Sequence, residues 1–178
     1  MDVGNESTVT STDVVVVGAG FAGLHLLQRL RSQGFSVLVL ESAESVGGTW
    51  YWNRYPGARC DVPSIEYSYG FSDDLQQSWR WSEAMSEQPE ILSYLQHVAE
   101  RFDLRRDITF STPVESAVYD DGNGTWSIVT AAGERITCRF CVMATGCLSV
   151  PLEPDIAGLD SFRGTLAYTS HPSPGPRA

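Results

Sequence analysis

Three glycines near the start of the chain have the spacing Gly18-x-Gly20-x-x-Gly23. In this spacing the first glycine permits a tight turn, the second lets the backbone approach a pyrophosphate, and the third lets a helix pack closely on a strand. A helix that begins at such a turn also directs its partial positive charge at the phosphates. Glu41 follows 23 residues after Gly18, where a carboxylate accepts hydrogen bonds from ribose hydroxyls and disfavours a 2′-phosphate. Together these residues predict a dinucleotide site rather than a chance glycine pattern.

A strand, a helix and a second strand are predicted around this motif. Residues 13–17 are nearly all β-branched, which is typical of a parallel strand buried on both faces. Apolar residues recur at helical intervals over residues 21–33, and Gly34 provides a stop. Residues 36–40 repeat the buried-strand pattern. This order predicts a Rossmann-like α/β fold that begins after a flexible polar leader, residues 1–12.

A second helix, an antiparallel meander and a returning parallel strand are predicted further along. Pro89 opens the helix, whose apolar residues share one face. A separate buried strand at residues 141–144 closes on Thr145 and Gly146 and makes the sheet parallel again. The meander between them is expected from four short β-patterned runs with glycine turns, at residues 109–110, 114–119, 125–130 and 135–140.

Composition and charge exclude several classes of protein. The 178 residues carry a net charge of -10, and all 12 basic residues are Arg. A nucleic-acid partner is not expected, because phosphate neutralisation needs clustered cations. The absence of Lys excludes Schiff-base chemistry and a P-loop lysine. No apolar run approaches the ~20 residues of a membrane span, and the leader lacks the apolar core of a signal peptide, which predicts a cytoplasmic protein with no membrane partner.

Cysteine and histidine, the residue types that most often bind transition metals, are sparse in the chain, with 4 Cys and 3 His. Cys138 and Cys141 form a lone C-x-x-C, with no second pair and no nearby His to complete a zinc site. We therefore expect thiols that fill space beside a strand rather than a metal or redox centre. His25, His97 and His171 belong to different segments and predict neither a metal triad nor a nucleophile pair.

The most specific segment, residues 47–61, lies in an aromatic-rich stretch with few regular elements. It reads Gly-Gly-Thr-Trp-Tyr-Trp-Asn-Arg-Tyr-Pro-Gly-Ala-Arg-Cys-Asp. Paired glycines allow close backbone approach, aromatic rings pack on a flat ring system, and a carboxylate beside an Arg can tune proton supply. The alternative is a core loop whose tryptophans only pack and whose Asp61 pairs with Arg54 or Arg59.

Residues 47–61 resemble, without a mismatch, the Gly-Gly-x-Trp, Tyr-Pro-Gly and Asp signature of the Baeyer-Villiger monooxygenases. Residues 65–69 are similar to the phenylacetone and cyclohexanone monooxygenase branch of that family. Residues 141–146, which end in Ala-Thr-Gly, resemble the strand that returns the chain beside FAD in flavoproteins with two dinucleotide sites. The alternative for them is an ordinary strand and turn. The likeness covers residues 13–166.

The resemblance implies FAD as the cofactor and NADPH as its reductant. Arg59, Cys60 and Asp61 would border the nicotinamide, Asp61 would support catalysis, and the backbone of Val114 would meet the adenine. The implied reaction converts a ketone and O2, through a flavin C4a-peroxide, to an ester or lactone. The implied cofactor-binding residues are Gly18, Gly20, Phe21, Ala22, Gly23, Glu41, Gly48, Thr49, Trp50, Tyr51, Trp52, Arg59, Cys60, Asp61, Tyr67, Val114, Ala144, Thr145 and Gly146.

The family's second fingerprint, in the linker between its FAD and NADPH domains, is matched only in part. Tyr168 replaces the family's His, and residues 172–173 replace its Trp-Pro pair. No second G-x-G-x-x-G follows, and the family's active-site arginine is absent from the chain. The matching positions are Phe162, Gly164 and Thr169.

We therefore predict a FAD-binding domain at residues 13–150 and a truncated interdomain linker at residues 151–178, with the fold ending before the NADPH domain. Such a chain would be the N-terminal part of a Baeyer-Villiger-type monooxygenase and not competent alone. Three alternatives remain open. They are a FAD-binding half-enzyme whose partner chain supplies the NADPH domain, a non-functional remnant, and an N- or S-oxidising flavin monooxygenase relative.

Overall fold

A single mixed sheet forms the centre of the computed structural model, which describes residues 10–150, 152, 154–164 and 169. Its strands are β1 (Thr10–Val17), β2 (Val37–Leu40), β3 (Ile108–Thr109), β4 (Val114–Asp120), β5 (Thr125–Thr130) and β6 (Arg135–Met143). Their order across the sheet is β3-β2-β1-β6-β5-β4. β1 pairs in parallel with β2 and β6, and β2 pairs in parallel with β3. β5 pairs antiparallel with both β4 and β6.

Four α-helices and three short 3-10 turns complete the described fold. The helices are α1 (Phe21–Ser32), α2 (Thr49–Trp52), α3 (Asp73–Ser78) and α4 (Gln88–Arg101), and the turns are Ser64–Tyr67, Arg105–Asp107 and Leu159–Ser161. The start of α3 is stabilised locally. The Ser72 hydroxyl accepts a hydrogen bond from the Leu75 N–H, and Asp73 and Asp74 in the first turn interact favourably with the helix dipole. Within the described residues, no helix has the length and apolarity needed to cross a membrane.

The two faces of the sheet bury separate apolar cores, as the alternation of side chains along β1 requires. On one face Val14 and Val16 pack with Leu24 and Leu27 of α1 and with the apolar side of α4. On the other face Val15 packs in a second core, whose other buried members are Leu40, Ile128, Ile136 and Cys138. The predicted Rossmann-like α/β fold with an antiparallel meander is thereby confirmed, and the meander belongs to the same sheet as the parallel strands.

Two predicted boundaries are wrong. β1 begins at Thr10, inside the predicted leader, because Thr10 pairs with Ile136 of β6. The strands predicted at residues 135–140 and 141–144 are one continuous strand, β6. Its last residues are also less buried than predicted, since the ladder to β5 ends at Cys138 and leaves Met143 60% exposed.

Candidate functional site

A cavity of about 1440 Å³ opens where β1, β2 and β6 reach their carboxyl ends. Ligands bind at this edge in open α/β sheets. The lining comes from five stretches and the separate residue Thr169. The stretches are the turn after β1, the end of β2, residues 47–67, residues 112–114 and residues 143–152. Residues that are far apart in sequence therefore converge on one space.

The turn after β1 is built from close backbone contacts. Gly18 has a φ of +105°, and a Cβ atom there would lie 2.7 Å from the Ala144 carbonyl oxygen. Gly20 approaches Gly48, since a Cβ atom on Gly20 would lie 3.4 Å from the Gly48 Cα. Gly20 is the N-cap residue of α1, no side chain caps the N–H groups of the helix, and its first turn holds no acid. This helix terminus suits an anionic group in the cavity.

Glu41 holds the ends of β1 and β2 together beside this turn. Its side chain is buried, and one carboxylate oxygen accepts a hydrogen bond from the Ala19 N–H at 2.5 Å. The other accepts from the Ala43 N–H at 2.8 Å and from the Ser42 hydroxyl at 3.3 Å. The carboxylate thus lines the cavity and also orders the two loops that form its edge.

An aromatic wall, formed by Phe21, Trp50 and Tyr67, bounds the cavity beside the helix terminus. The Tyr67 ring meets Trp50 edge-on at a centroid distance of 5.6 Å and Phe21 at 5.2 Å. A second layer fixes this wall, because the Tyr69 hydroxyl donates to the Phe21 carbonyl at 2.7 Å and the Tyr94 hydroxyl accepts from the Tyr69 N–H at 2.7 Å. The wall is therefore aromatic, largely apolar and supported from behind by hydrogen bonds.

Tyr67 keeps its proton over a wide pH range. Burial raises the pKa of its phenol, and the neighbouring Cys60 and Asp61 groups raise this pKa further. A neutral phenol at the cavity wall can donate a hydrogen bond to an acceptor inside the cavity. Burial likewise raises the pKa of Tyr69, with a smaller contribution from Tyr94.

The two arginines near Asp61 have other partners. Arg59 pairs with Glu87 at 2.7 Å and with Glu83 at 3.2 Å. The Arg54 guanidinium donates to the Tyr51 carbonyl at 2.5 Å and lies over the Tyr51 ring. Among the described residues neither arginine pairs with Asp61, which lines the cavity and is exposed. The interpretation of Asp61 as a simple ion-pair partner of Arg54 or Arg59 is therefore wrong.

The end of β6 forms the opposite side of the glycine turn. The Ala144 N–H donates to the Val17 carbonyl at 2.9 Å, which continues the β1 ladder to the point where the cavity opens. Thr145 and Gly146 follow and line the cavity, as does Val114 at the start of β4. The end of the segment at residues 141–146 therefore borders the cavity, and the Ala144 carbonyl lies so close to Gly18 that a side chain at position 18 would collide with it.

Nearly all sequence-predicted site residues line this one cavity. The exceptions are Gly23, which packs against Gly18, and Tyr51, whose ring contacts Trp52 and Arg54. Two cavity residues within residues 47–61, Asn53 and Tyr55, were not predicted, although their polar and aromatic side chains in that segment could have indicated them. A further group was also not predicted, because only the tertiary fold brings its members to the cavity. That group includes Glu66, Thr112, Pro113, Cys147, Leu148, Ser149, Val150 and Leu152.

The cysteines and histidines take no part in a metal site within the described residues. Cys138 is buried on β6 with Cys141 nearby in the same strand, and both thiols are free. Burial raises the pKa of both. His25 packs on Tyr69 and Phe71, and no cluster of ligands suited to a metal is found in the described part of the chain. His171 and Tyr168 lie outside the described residues.

The chain is similar in sequence to a family of dinucleotide-binding domains and to monooxygenases. Residues 16–97 match the family model of the NAD(P)-binding Rossmann-like domain. The chain is 43% identical over 161 residues to "Phenazine N-monooxygenase PhzNO1" of Lysobacter antibioticus, covering 90% of this chain and 30% of that protein. It is 42% identical over 173 residues to a "Baeyer-Villiger monooxygenase" of Pseudooceanicola batsensis, covering 95% of this chain and 32% of that protein.

The fold is also similar to the solved structure of a monooxygenase. "Oxidized steroid monooxygenase bound to NADP" superposes with a TM-score of 0.84 at 57% sequence identity, covering 91% of this chain and 31% of that chain. The chain thus spans about a third of the length of the relatives that it matches, at their N-terminal end. The resemblance stated from residues 47–61 is confirmed.

Proposed function

We propose that this chain, which matches the N-terminal part of Baeyer-Villiger monooxygenases, binds FAD and forms the FAD-binding part of an NADPH-using monooxygenase. One observation carries this proposal. The Gly18 turn, Trp50 and Asp61 line the same cavity, at the carboxyl ends of parallel strands. A dinucleotide that carries a planar ring system would need these groups together, namely a phosphate cradle, an aromatic wall and a polar side chain at the edge.

The cavity fits such a cofactor in size and in donor chemistry. Its volume of about 1440 Å³ exceeds the ~300–1,000 Å³ of pockets for drug-sized ligands, as a dinucleotide requires. The N-terminus of α1 offers N–H groups that no side chain caps, next to glycines that leave the backbone accessible. These groups neutralise a pyrophosphate without a cationic side chain.

The residues of the chain would divide the binding task. The backbone at Gly18 and Gly20 would hold the pyrophosphate, and Glu41 would orient a ribose from its fixed position. Trp50, Tyr67 and Phe21 would pack against the ring system and exclude water from it. The Tyr67 phenol, protonated at neutral pH, would donate a hydrogen bond. Bound FAD supplies the electron transfer and oxygen activation that side chains cannot perform.

For the whole protein we propose the conversion of a ketone to an ester or lactone in the cytoplasm, in which one oxygen atom of O2 is inserted and the other is reduced to water with the electrons of NADPH. The identity to a Baeyer-Villiger monooxygenase and the complete signature at residues 47–61 support this reaction. A partner chain that supplies the NADPH domain is compatible with this proposal. Oxidation of an aromatic nitrogen is the second candidate, supported by the 43% identity to a phenazine N-monooxygenase. Mass spectrometry of the products from an offered ketone and an offered N-heterocycle, with the complete protein, separates the two reactions.

Titration of the purified chain with FAD, followed by flavin fluorescence, tests the proposal. We expect saturable binding with one FAD per chain. Gly20→Ala would place a methyl group 3.4 Å from the Gly48 Cα, between two glycines that line the cavity. We expect it to hold the pyrophosphate away from the backbone N–H groups and to weaken binding about tenfold, the effect of losing one charge-assisted hydrogen bond. Gly70→Ala is the matched control, because its methyl group meets only the Gln76 side chain at 3.9 Å. A folded wild-type chain that does not bind FAD would contradict the proposal.

A further inference from the structure

Gln88, the first residue of α4, contacts two separate stretches of the cavity wall. Its backbone N–H donates a hydrogen bond to the Ala58 carbonyl at 2.8 Å. Its side-chain Nε2 donates to the Trp50 carbonyl. Both Trp50 and Ala58 line the cavity, although they lie eight residues apart. Gln88 therefore links the two stretches at one point.

The Ala58 side of this link has further backbone support. Cys60 donates its N–H to the Ser86 carbonyl at 3.1 Å, and Ser64 donates its N–H to the Ala84 carbonyl at 2.8 Å. A β-bridge between Arg59 and Glu87 lies beside these bonds and is joined by the ion pair of the same two residues. The chain before α4 thus holds residues 58–64 in place.

The position of the Trp50 backbone depends more strongly on the side chain of Gln88. α2, which carries Trp50, is a single turn of four residues and is too short to be stable without tertiary contacts. The Gln88 side chain is 7% exposed, so its hydrogen bond to the Trp50 carbonyl is shielded from water. A carbonyl oxygen only accepts hydrogen bonds, so this contact requires a donor at position 88.

We propose that Gln88 is a positioning residue, whose side-chain amide sets the distance between Trp50 and the stretch from Ala58 to Asp61. By linking the Trp50 and Ala58 backbones, it determines the shape of the part of the cavity surface against which the flavin ring would lie. The link within the chain stands on geometry alone. Its effect on the ligand rests on the proposed FAD site.

Two substitutions separate positioning from packing. Gln88→Met keeps the length and volume of the side chain and removes the donor. Gln88→Glu keeps the shape and makes donation depend on protonation, because a carboxylate faces the Trp50 carbonyl with acceptors only. Burial raises the pKa of a carboxyl at this position, so Gln88→Glu regains its donor at mildly acidic pH. Gln77→Glu, at an exposed position in α3, introduces the same charge as a matched control.

The first measurement is amide hydrogen exchange of the FAD-free chains, which needs no ligand. We expect faster exchange in the peptide covering residues 47–62 for Gln88→Met, and unchanged exchange for Gln77→Glu. Equal exchange of this peptide in Gln88→Met and in the wild type would overturn the inference. A wild-type chain that does not bind FAD would overturn the proposed function. The exchange rates of Gln88→Met and the wild type would still decide whether Gln88 positions residues 47–62.

The second measurement is the FAD dissociation constant across mildly acidic to mildly alkaline pH. For Gln88→Glu we expect FAD binding about fivefold to tenfold weaker at alkaline pH, the effect of one buried hydrogen bond, with recovery toward wild-type affinity at acidic pH. Gln88→Met is expected to bind weakly at every pH. Wild-type affinity in both variants, or the same pH dependence in Gln77→Glu, would contradict a positioning role.

Discussion

A Cβ atom on Gly23 would lie 1.9 Å from the carbonyl oxygen of Gly18, so the first turn of α1 rests directly on the turn that follows β1. The third glycine of the motif therefore acts by packing and does not line the cavity. The same contact fixes the direction in which α1 starts, and so the direction in which its N-terminal N–H groups face.

Gly23→Ala is expected to destabilise the chain, since the added methyl group displaces backbone rather than a flexible side chain. Overpacking of this kind costs about 1–3 kcal/mol. Urea unfolding followed by circular dichroism measures the change, and Gly70→Ala serves as the control with room for its methyl group. Equal midpoints for Gly23→Ala and the control would show that α1 and the turn are not in close contact.

Glu41→Gln is expected to lower both stability and FAD affinity. The carboxylate accepts from the Ala19 and Ala43 N–H groups with different oxygens, whereas an amide side chain offers one oxygen and would turn its NH2 group toward the other N–H. A buried donor left unpaired costs about 1–3 kcal/mol. Glu115→Gln, at an exposed position on β4, should leave the unfolding free energy unchanged. A stable Glu41→Gln variant with full affinity would contradict this assignment.

Tyr94→Phe is expected to destabilise the aromatic wall from behind. The Tyr94 hydroxyl accepts the Tyr69 N–H at 2.7 Å, and Tyr94 is 1% exposed, so the N–H would lose its partner in a dry environment. The expected cost is about 1–3 kcal/mol in the free energy of unfolding. Tyr119→Phe, on the exposed side of β4, is the control. Chemical denaturation of both variants gives the comparison, and the same small change in each would exclude a role for this bond.

The pairing of Asp13 with Ser36 predicts a pH-dependent contribution to stability. The Ser36 hydroxyl, and then the Ser36 N–H, lower the pKa of Asp13 below its ordinary value of 3.8. A carboxyl with a lowered pKa stabilises the fold above its unfolded-state pKa, and this contribution disappears as the pH falls through the folded-state value. We expect Asp13→Asn and Ser36→Ala to be less stable than the wild type at neutral pH and to approach it in acid. A constant difference down to low pH would contradict this origin.

Local signals predict the first part of the fold well. The β-branched run of β1, the helical periodicity of α1 and the run at β2 place each element to within three residues, because each pattern lies within the element itself. The continuity of β6 was not predictable in the same way. Its first half, up to Cys138, pairs with both β1 and β5, while its second half pairs with β1 alone. The residue pattern therefore changes within one strand.

The site shows the same division between local and tertiary information. The spacing of the glycine motif and of Glu41 at two strand ends predicts that they share a site. The family resemblance of residues 47–61 adds this segment to the same site. Gln88 and Pro113 have no such signal. Their positions at the site depend on how α4 and the loop before β4 pack, and a single amide or proline in the sequence does not encode that packing.

The Gly18 turn and the aromatic wall are expected to bind one FAD together. A crystal structure of the chain grown with FAD tests this expectation most directly. We predict electron density for the pyrophosphate at the Gly18 and Gly20 backbone and for the flavin ring beside Trp50 and Tyr67. FAD found at another surface, or a folded chain with no FAD in this cavity at saturating concentration, would contradict the account.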